Sequence, residues 1–368
     1  MDTSMNQELA WAQAHLPRLR RALAALPDLQ HMRLACSLHI DLKVGALVEG
    51  LLQRGAGVFL VTCNVDTVRD GVADYLRGRG AEVDAWRGMP AEAYQAAVQK
   101  AIAWGPTHLC ELGADLTCAL HTAQDRQPAV RAGLEGTGSG IARLEGLKLA
   151  YPVFNWDDLP IKEGLHNRHM VGLSTWQTFF ARTRLSLHEK RVVVIGYGMV
   201  GKGLAATARA FGGAVTVVER DPVRALQAAY DGWETLPLEE ALRRGEVIVT
   251  ATGAKGVIQA AHFPYLRDGA FLLNAGHAAD EIEVEALRAY PRRQALPWIE
   301  EFQLPGGRLY LLAGGSMFNL TAGEGDSLNA FDLTLAVLAA GIGFIAGPGS
   351  QAGPGVHILP RPVWEAVL

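Results

Sequence analysis

The chain has 368 residues, of which 49% are apolar and 20% are charged, and its formal net charge at pH 7 is −4. The length suits two domains and the composition is that of a globular protein, whereas the mixed signs of charge argue against a nucleic-acid-binding protein. The four cysteines lie apart, without C-x-x-C spacing or nearby His pairs, which argues against a structural metal site and against a disulfide framework.

Helical and strand patterns alternate along the first 160 residues or so. A helix is predicted over residues 7–26. Strands of mainly apolar residues are then predicted over 33–38, 57–63, 81–86, 108–112 and 151–154. Amphipathic helices are predicted between them, over 41–54, 65–78 and 91–104. Regular alternation of this kind is typical of a mostly parallel sheet that helices cover on both faces.

A second series of patterns begins with a helix near residue 171. Strands are predicted over 191–195, 214–218, 247–251, 270–274 and 309–313. An apolar helix follows over 328–345. These patterns predict the α/β class, with two doubly wound, Rossmann-like domains and a cleft between them.

The sequence carries no pattern of a membrane or secreted protein. Its N-terminal residues lack the charged-then-apolar layout of a signal peptide. The longest apolar stretch, near residues 333–346, is too short to span a membrane and contains glycines. We therefore expect a soluble, cytoplasmic protein with no membrane partner and no nucleic-acid partner.

Residues 191–219 carry the most informative motif, RVVVIGYGMVGKGLAATARAFGGAVTVVE. A strand leads into Gly196-x-Gly198-x-x-Gly201, a helix follows, and a second strand ends at Glu219, which is the full context of a dinucleotide fingerprint. The glycines allow the tight turn, the approach of a pyrophosphate to the backbone, and close helix–strand packing. A carboxylate at Glu219 can bind the adenosine ribose and repels a 2′-phosphate, so NAD is predicted over NADP, although Arg220 beside it argues the other way.

The fingerprint assigns an NAD-binding Rossmann domain to residues 171–326 and leaves a substrate-binding domain made of residues 1–170 and 327–368. In doubly wound sheets, ligands bind at the carboxyl ends of the strands. The polar residues that follow predicted strands are therefore candidate site residues: His39, Asn64, Glu111, Asp115, Lys162, Asn167 and His277. For Glu111 and Asp115, ordering of a loop is an equally good interpretation.

Several segments together resemble S-adenosylhomocysteine hydrolase, from about residue 10 to 366. The densest matches are G-Y-G-M-V-G-K-G (196–203), E-x-D-P-x-x-A-L-Q-A-A-x-x-G (219–232), T-A-T-G (250–253) and N-A-G-H (274–277). Weaker ones are C-S-L-H-I (36–40), G-A-D-L-T (113–117), L-L-A-G-G-S-M-F-N-L (311–320) and G-V-H-I-L-P (355–360). The combination is unusual outside that family.

The resemblance implies a reaction in which tightly bound NAD oxidises a ribose 3′-hydroxyl to a ketone. The ketone acidifies the neighbouring C4′ proton, loss of that proton expels the 5′-thiol, water adds, and the ketone is reduced again. Such a site needs groups that move the hydroxyl proton and the C–H proton and that protonate the leaving group. The resemblance also implies a small-molecule substrate and a homodimer or homotetramer.

The resemblance assigns roles to individual residues. His39 aligns with a histidine near the leaving sulfur, Lys162 with a lysine at the 3′-hydroxyl, and Asn167 with an asparagine beside that lysine. The expected catalytic residues are Lys162, His39, His277, His166 and Asn167. The expected cofactor-binding residues are Gly196, Gly198, Met199, Val200, Gly201, Glu219, Arg220, Thr252, Gly253, Asn274, Gly276, His277 and Asn319. The expected substrate-binding residues are Asn64, Glu111, Asp115, Thr137 and Asp326.

Positions that face the substrate depart from the family pattern. A proton-transferring carboxylate falls on Leu112 and a sugar-binding glutamate on Gly136, while K-x-K-F-D-N becomes K-E-G-L-H-N, so that its aspartate is His166. The G-H-P near the adenosine becomes G-D-S, with Asp326 in place of histidine, and the glutamine behind the substrate histidine becomes Lys43. We therefore expect a different hydroxylated substrate: a modified nucleoside, a sugar-like ring or a thioether.

Two other functions remain open from the sequence. One is a simple NAD-dependent dehydrogenase that releases the reduced cofactor, and the other is a non-catalytic NAD-binding paralogue. His166 has no family precedent and is either a new acid or base or a polar filler. Oxidation that stops at the ketone or at the elimination step is a shortened form of the main reaction.

Overall fold

The computed structural model describes residues 3–122, 129–276 and 280–368. The chain folds into two compact units: unit 1 comprises Met1–Lys162 and Leu328–Leu368, and unit 2 comprises Glu163–Ser327. The chain first passes from unit 1 to unit 2 between Lys162 and Glu163, ahead of the expected boundary at residue 171. It does so inside a π-helical segment, Ile161–Met170, which runs directly into the first helix of unit 2.

The strands, in chain order, are β1 (Arg33–Leu38), β2 (Gly57–Thr62), β3 (Glu82–Val83), β4 (His108–Glu111), β5 (Ala132–Glu135), β6 (Pro152–Asn155), β7 (Arg191–Ile195), β8 (Ala214–Val218), β9 (Glu234–Thr235), β10 (Val247–Thr250), β11 (Ala270–Asn274), β12 (Arg292–Leu296), β13 (Ile299–Leu304), β14 (Gly307–Leu312) and β15 (Gly355–Ile358).

The α-helices, in chain order, are α1 (Thr3–Ala14), α2 (Pro17–Ala24), α3 (Leu42–Gln53), α4 (Asp70–Gly78), α5 (Ala91–Ala103), α6 (Asp115–Thr122), α7 (Gly138–Leu144), α8 (Val171–Thr183), α9 (Met199–Ala210), α10 (Pro222–Tyr230), α11 (Leu238–Arg244), α12 (Val284–Leu287), α13 (Phe318–Thr321), α14 (Leu328–Ile345) and α15 (Arg361–Glu365).

Unit 1 is built on a seven-stranded sheet with the order β15-β6-β5-β4-β1-β2-β3. Every pair of neighbouring strands in it is parallel. All residues of β4, β5 and β6 are buried, as expected for a parallel sheet with helices on both faces. The carboxyl ends of these strands share one edge of the sheet.

Helix α14 is the core helix of unit 1. By length and composition alone it could cross a membrane. It packs against α2, α3 and β5, and Leu335, Val337 and Ile342 on it belong to the same hydrophobic cluster as Leu34 and Leu47. Its apolar character is therefore accounted for by burial inside the unit.

Unit 2 is built on an eight-stranded sheet with the order β12-β13-β14-β11-β10-β7-β8-β9. The six strands from β14 to β9 are parallel, and β12 and β13 add an antiparallel edge. The chain winds outward from β7 to β8 and β9 on one side, and from β10 to β11 and β14 on the other. This is the Rossmann strand order, with its ligand-binding switch point at the carboxyl ends of β7 and β10, and it confirms the α/β prediction.

Three predicted elements differ from the structure by more than one or two residues at an end. The helix predicted over 65–78 is a short 3-10 turn, Val65–Thr67, followed by α4 from Asp70, because Val68 and Arg69 have extended dihedral angles. The helix predicted over 7–26 is interrupted, because Leu16 has non-helical dihedral angles (φ −119°, ψ 60°) and α2 begins afresh at Pro17, a residue that suits the first turn of a helix. The strand predicted over 81–86 is limited to the two residues of β3, at the edge of the sheet.

Candidate active site

The fingerprint glycines form the turn between β7 and α9. Gly196 has a φ of +99°, and a Cβ added to it would lie 2.7 Å from the carbonyl oxygen of Ala251. A Cβ on Gly201 would lie 1.9 Å from the carbonyl oxygen of Gly196, whereas the place of a Cβ on Gly198 has no atom of the described residues within 4 Å. Gly198 caps α9. The turn therefore leaves open space at a helix N-terminus, where N–H groups bind phosphates. The next two residues are half-buried: Met199 and Val200.

Glu219 lies at the end of β8, in the wall of a cavity of about 650 Å³ that Gly198 also lines. Its Oε2 accepts the backbone N–H of Tyr197 at 2.7 Å, and its Oε1 accepts that of Asp221 at 2.9 Å. These bonds fix the carboxylate, and further lone pairs can accept ribose hydroxyls. Arg220 is exposed and lines the same cavity.

Glu281, an acid that the sequence analysis did not single out, shapes the loop after β10. It is fully buried, and its carboxylate accepts the hydroxyl of Thr252 at 2.8 Å and the N–H of Gly253 at 2.7 Å. A Cβ on Gly276 would lie 1.9 Å from Oε1 of Glu281. The glycine of the N-A-G-H motif is therefore required by this buried carboxylate. Glu281 belongs to no motif, and only its burial in the fold reveals it.

Asn274, at the end of β11, is also fully buried. Its Oδ1 accepts the N–H of Gly276 at 2.7 Å, and its Nδ2 donates to the carbonyl of Gly315 at 3.2 Å. Asn274 thus ties together two loops at the carboxyl edge of the sheet. His277, an expected catalytic and cofactor-binding residue, lies outside the described residues.

Asn319 lies on α13 and is 2% exposed. Its Nδ2 donates to the hydroxyl of Ser174 on α8 at 3.0 Å, and its Oδ1 is buried without a hydrogen-bond partner among the described residues. A buried amide oxygen costs free energy unless a donor reaches it. The amide of a nicotinamide is such a donor, so this atom and the open turn at Gly198 both fit NAD.

The candidate residues of unit 1 follow the ends of neighbouring parallel strands. Nδ1 of His39, after β1, lies 2.8 Å from the Thr67 hydroxyl oxygen. That hydroxyl donates to the carbonyl of Asn64 at 2.8 Å, and Oδ1 of Asn64 accepts the N–H of Asp66 at 2.9 Å. The turn after β2 therefore holds the imidazole of His39, and the Asn64 side chain orders that turn.

Glu111 and Glu135 end the adjacent strands β4 and β5, and both are almost fully buried. Glu111 accepts the N–H of Leu116 at 2.8 Å, and Glu135 accepts the N–H groups of Gly113 at 3.0 Å and Ala114 at 2.8 Å. Burial, with repulsion from Glu135, raises the pKa of Glu111 to about 8, and burial raises the pKa of Glu135 to about 7. Glu111 therefore orders the loop that follows β4. Of the two roles considered for it, substrate binding and loop ordering, these contacts show loop ordering.

Asp115 and Thr137 each take a structural position near this pair. Asp115 accepts the hydroxyl of Tyr94 at 2.5 Å and pairs with the Arg143 guanidinium at 2.6 Å. Thr137 caps α7 by accepting the N–H of Gly140 at 3.0 Å. Both side chains are half-buried. Their contacts hold the segments that follow β4 and β5 in place.

Lys162 forms an ion pair with Asp157, and the two side chains are 15% and 16% exposed. The Lys162 ammonium also lies 5.4 Å from the ring centre of Trp156. An ammonium near a ring face is attracted by the ring's quadrupole. Lys162 is therefore held by a carboxylate and an aromatic ring and is not a solvated surface lysine.

Trp156 occupies the space beside Gly136. The indole is 3% exposed, and a Cβ on Gly136 would lie 2.3 Å from two indole carbons and 2.6 Å from Nε1. Nε1 is buried without a hydrogen-bond partner among the described residues. The position where the family resemblance puts a sugar-binding glutamate therefore has no carboxylate and no room for one.

His166 and Asp326 contact each other in unit 2. Nε2 of His166 lies 3.2 Å from Oδ2 of Asp326, and the side chains are 10% and 6% exposed. Asn167 follows in the π-helical segment, which is anchored on α9, because a Cβ on Gly203 would lie 2.4 Å from the carbonyl oxygen of Arg168. π-Helical segments are rare in proteins, and those that occur are often found at functional sites.

Lys43 is a buried, paired cation. Its Nζ lies 2.7 Å from Oδ2 of Asp41 and 5.8 Å from the ring centre of Phe331. Burial raises the pKa of Asp41, but the Lys43 ammonium and hydrogen bonds, including one from the N–H of Val44, outweigh burial and lower the pKa. The pair thus carries compensating charges.

The Rossmann sheet, the glycine turn open at a helix N-terminus and the carboxylate after β8 define a dinucleotide-binding α/β protein. Residues 176–325 match the family model of the S-adenosyl-L-homocysteine hydrolase NAD-binding domain, and residues 5–141 match that of S-adenosyl-L-homocysteine hydrolase. The chain belongs to the S-adenosyl-L-homocysteine hydrolase family. Its cofactor is NAD, and its class is that of the NAD-dependent, adenosylhomocysteinase-type hydrolases.

Relatives of this chain carry two different names. It is 34% identical to an S-inosyl-L-homocysteine hydrolase of Methanopyrus kandleri, over 98% of this chain and 88% of that one. It is 38% identical to an adenosylhomocysteinase of Aeropyrum pernix, over 96% of this chain and 88% of that one. It is 37% identical to an adenosylhomocysteinase of Pyrobaculum aerophilum, over 92% and 85%.

Proposed function

We propose that this protein applies the family chemistry to a substrate other than S-adenosyl-L-homocysteine. The substrate is a ring that carries a hydroxyl, a C–H on the next carbon and a leaving group on the carbon after that: a modified nucleoside, a sugar-like ring or a thioether. The observation that carries the proposal is the packing of the Trp156 indole in the space beside Gly136.

Where the family pattern has a glutamate, which accepts hydrogen bonds, this chain has Gly136 and the indole of Trp156, whose N–H donates one. A glutamate only accepts hydrogen bonds when ionised, whereas the indole N–H only donates. Nε1 of Trp156 is buried and has no partner among the described residues, so a ligand oxygen that accepts would satisfy it. The ribose of the ancestral substrate would find no carboxylate here to accept from its hydroxyls, which favours an altered sugar or an altered attachment of the sugar.

Variation of the substrate has support among the relatives. The Methanopyrus kandleri relative is named for S-inosyl-L-homocysteine and the Aeropyrum pernix relative for adenosylhomocysteine, at 34% and 38% identity. Proteins at this distance from the present chain are thus named for different nucleosides. Because substrates differ among these relatives by name, a third nucleoside or a related ring as the substrate of this chain is consistent with the family.

Gly198 and Glu219, which line one cavity, would hold NAD, and the bound cofactor would supply reversible hydride transfer at the substrate carbon. Lys162 receives the hydroxyl proton as the carbon is oxidised, and gives the proton back when the ketone is reduced. Asp157, paired with Lys162, orients the amine toward one position. Between the two redox steps, a proton leaves the neighbouring carbon, the leaving group departs with a proton, and water adds to the double bond that remains.

The test is an assay of the purified protein with S-adenosyl-L-homocysteine, S-inosyl-L-homocysteine and a panel of nucleosides altered in the sugar. Thiol release and the near-ultraviolet absorbance of reduced nicotinamide are followed with no cofactor added. We expect a panel member to reduce the bound NAD and S-adenosyl-L-homocysteine to release thiol slowly. Thiol release from S-adenosyl-L-homocysteine as fast as that by the Aeropyrum pernix relative would contradict the proposal.

A further inference from the structure

Tyr197 stands between two glycines of the fingerprint, in the turn from β7 to α9. Gly196 before it has a φ of +99°, and Gly198 after it caps α9. Glycine restricts the backbone less than any other residue, so a turn with two glycines keeps one shape only if other contacts hold it. Tyr197 is 1% exposed, and it supplies such contacts from its backbone and from its side chain.

The backbone of Tyr197 holds the acid at the end of β8. Its N–H donates to Oε2 of Glu219 at 2.7 Å. Glu219 lines the same cavity as Gly198, and a carboxylate at this place in a Rossmann domain binds the adenosine ribose. A displacement of the Tyr197 backbone would therefore move the carboxylate that faces the cofactor.

The side chain of Tyr197 is held by two residues of the turn that joins α10 to β9. Its hydroxyl donates to Oδ2 of Asp231 at 2.7 Å and accepts the indole N–H of Trp233 at 2.6 Å. Burial, together with the hydrogen bond to Asp231, raises the pKa of Tyr197, so the phenol keeps the proton that it donates. The hydroxyl thus has both an acceptor and a donor, and these two bonds fix the direction of the ring.

Trp233 is itself held in place by α9. Its side chain is buried, and the guanidinium of Arg209 lies 3.7 Å from the ring centre. A guanidinium over an indole face is attracted by the ring's quadrupole. Arg209 belongs to the last turn of α9, and Tyr197 lies just before the first. Trp233 therefore contacts residues at both ends of the helix whose N-terminus is open to the phosphates.

We propose that Asp231 and Trp233 are positioning residues for NAD, and that they act through Tyr197. They fix the phenol, the phenol fixes the backbone of the turn, and the N–H of that turn places the carboxylate of Glu219. Both residues lie outside the glycine fingerprint, and neither is among the described residues that line the cavity. The inference concerns the cofactor alone, so it stands or fails independently of which substrate the protein takes.

The first test measures how fast the full-length, NAD-loaded protein exchanges its cofactor for isotope-labelled NAD. Tyr197→Phe removes the hydroxyl and keeps the ring, so NAD should leave about threefold to tenfold faster, on the scale of one net hydrogen bond. Tyr230→Phe is the matched control, because Tyr230 is 83% exposed at the end of α10, and it should exchange NAD at the wild-type rate. An unchanged rate in Tyr197→Phe, whatever its melting temperature, would leave the hydroxyl a purely structural role and overturn the proposal.

Variants of Asp231 separate the hydrogen bond from general damage. Asp231→Ala removes the acceptor and should speed exchange as Tyr197→Phe does. Asp231→Asn keeps an oxygen that can accept the phenol hydrogen, so it should exchange NAD at close to the wild-type rate. Trp233→Phe removes the indole N–H and should also speed exchange. An Asp231→Asn variant as fast as Asp231→Ala would contradict a role through this bond, and a wild-type rate in Trp233→Phe would contradict the role of Trp233.

A double-mutant cycle tests the route from Tyr197 to the cofactor. Glu219→Gln by itself weakens the contact with the ribose. If the phenol acts by placing Glu219, Tyr197→Phe should speed exchange by less than about twofold once Glu219 is replaced, because coupled substitutions are not additive. The full acceleration in both backgrounds would show that Tyr197 does not act through Glu219. It would overturn this proposal and leave the proposed substrate chemistry unaffected.

Discussion

The indole of Trp156 and the missing side chain of Gly136 compete for one space. A Cβ at position 136 would lie 2.3 Å from two carbons of the indole ring, whereas carbon atoms in contact stay about 3.5–4.0 Å apart. No side chain fits at position 136 while Trp156 keeps its place. The two residues therefore have to change together.

Substitution at this pair should be strongly non-additive. Gly136→Ala should destabilise the protein by about 1–3 kcal/mol through overpacking, and Trp156→Ala by about 3–5 kcal/mol through the cavity it leaves. The double variant should be more stable than the sum predicts, by about 0.5–3 kcal/mol, because the alanine enters the vacated space. Urea denaturation measures all three values.

The matched control for this cycle is Gly146→Ala, since no atom of the described residues lies within 4 Å of a Cβ there. It should change the free energy of unfolding by less than about 0.5 kcal/mol. Strict additivity of the two substitutions at positions 136 and 156 would show that the indole moves away at little cost.

Lys162 should be needed for turnover and not for cofactor retention. Lys162→Ala removes the group that we propose exchanges the hydroxyl proton, and loss of a general base typically lowers rates by about 10²–10⁴-fold. The amount of NAD that co-purifies should stay the same, because the phosphate turn and Glu219 are unaffected. Lys148→Ala, an exposed lysine of the same unit, is the control. Unchanged turnover in Lys162→Ala would show that another group exchanges the hydroxyl proton.

The two neighbouring glycines of the fingerprint should separate folding from cofactor binding. Gly201→Ala forces a Cβ to within 1.9 Å of a carbonyl oxygen and should lower the melting temperature of the cofactor-free protein. Gly198→Ala meets no described atom within 4 Å and should leave that temperature unchanged, yet weaken NAD binding about tenfold or more by obstructing the pyrophosphate. Calorimetry and thermal unfolding measure the two effects. Equal losses of NAD affinity and of stability in both variants would be inconsistent with an open phosphate turn.

The buried carboxylates at the ends of β4 and β5 should make stability depend on pH. The pKa values of Glu111 and Glu135 are raised from an ordinary 4.5 to about 8 and about 7, so the folded protein favours their protonated forms. This contribution is fully present below pH 4.5 and is lost as the pH rises through 7 and 8. The melting temperature should therefore fall as the pH rises from 4.5 to about 8 and level off above that.

Glu111→Gln tests the source of that pH dependence. The amide keeps the shape and one acceptor but does not ionise, so the decrease in melting temperature between pH 4.5 and about 8 should become smaller. Differential scanning calorimetry at several pH values measures it. Glu145→Gln, an exposed acid of the same unit, should reproduce the wild-type profile. A Glu111→Gln profile identical to that of the wild type would place the titration elsewhere.

Much of the frame could be predicted from the sequence because buried parallel strands leave continuous apolar runs. The predicted strands 191–195 and 214–218 coincide with β7 and β8, and the glycine spacing between them fixes the phosphate turn. The family resemblance extends to the whole chain for the same reason: the motifs lie at strand ends, where the backbone geometry allows few residue types.

Contacts between distant segments could not be predicted. The pairing of His166 with Asp326 depends on how the loop after α13 packs on α8, and no local pattern records that packing. An acid at a strand end also has two uses that look the same in a sequence. Glu111 turns inward to backbone N–H groups, whereas Glu219 lines a cavity, and only burial separates the two.

Glu281 belongs to no sequence motif and lies outside the glycine fingerprint, yet its substitution should weaken NAD binding. Its carboxylate accepts the hydroxyl of Thr252 and the N–H of Gly253. Glu281→Gln turns one of these acceptors into a donor that faces other donors, so the loop after β10 should shift. Because that loop lines the same cavity as Glu219, we expect NAD affinity to fall about tenfold, on the scale of one lost charged hydrogen bond. Glu285→Gln, an exposed acid on α12, is the matched control for calorimetric titration. A Glu281→Gln variant that binds NAD as tightly as Glu285→Gln would show that the loop keeps its shape without the charge.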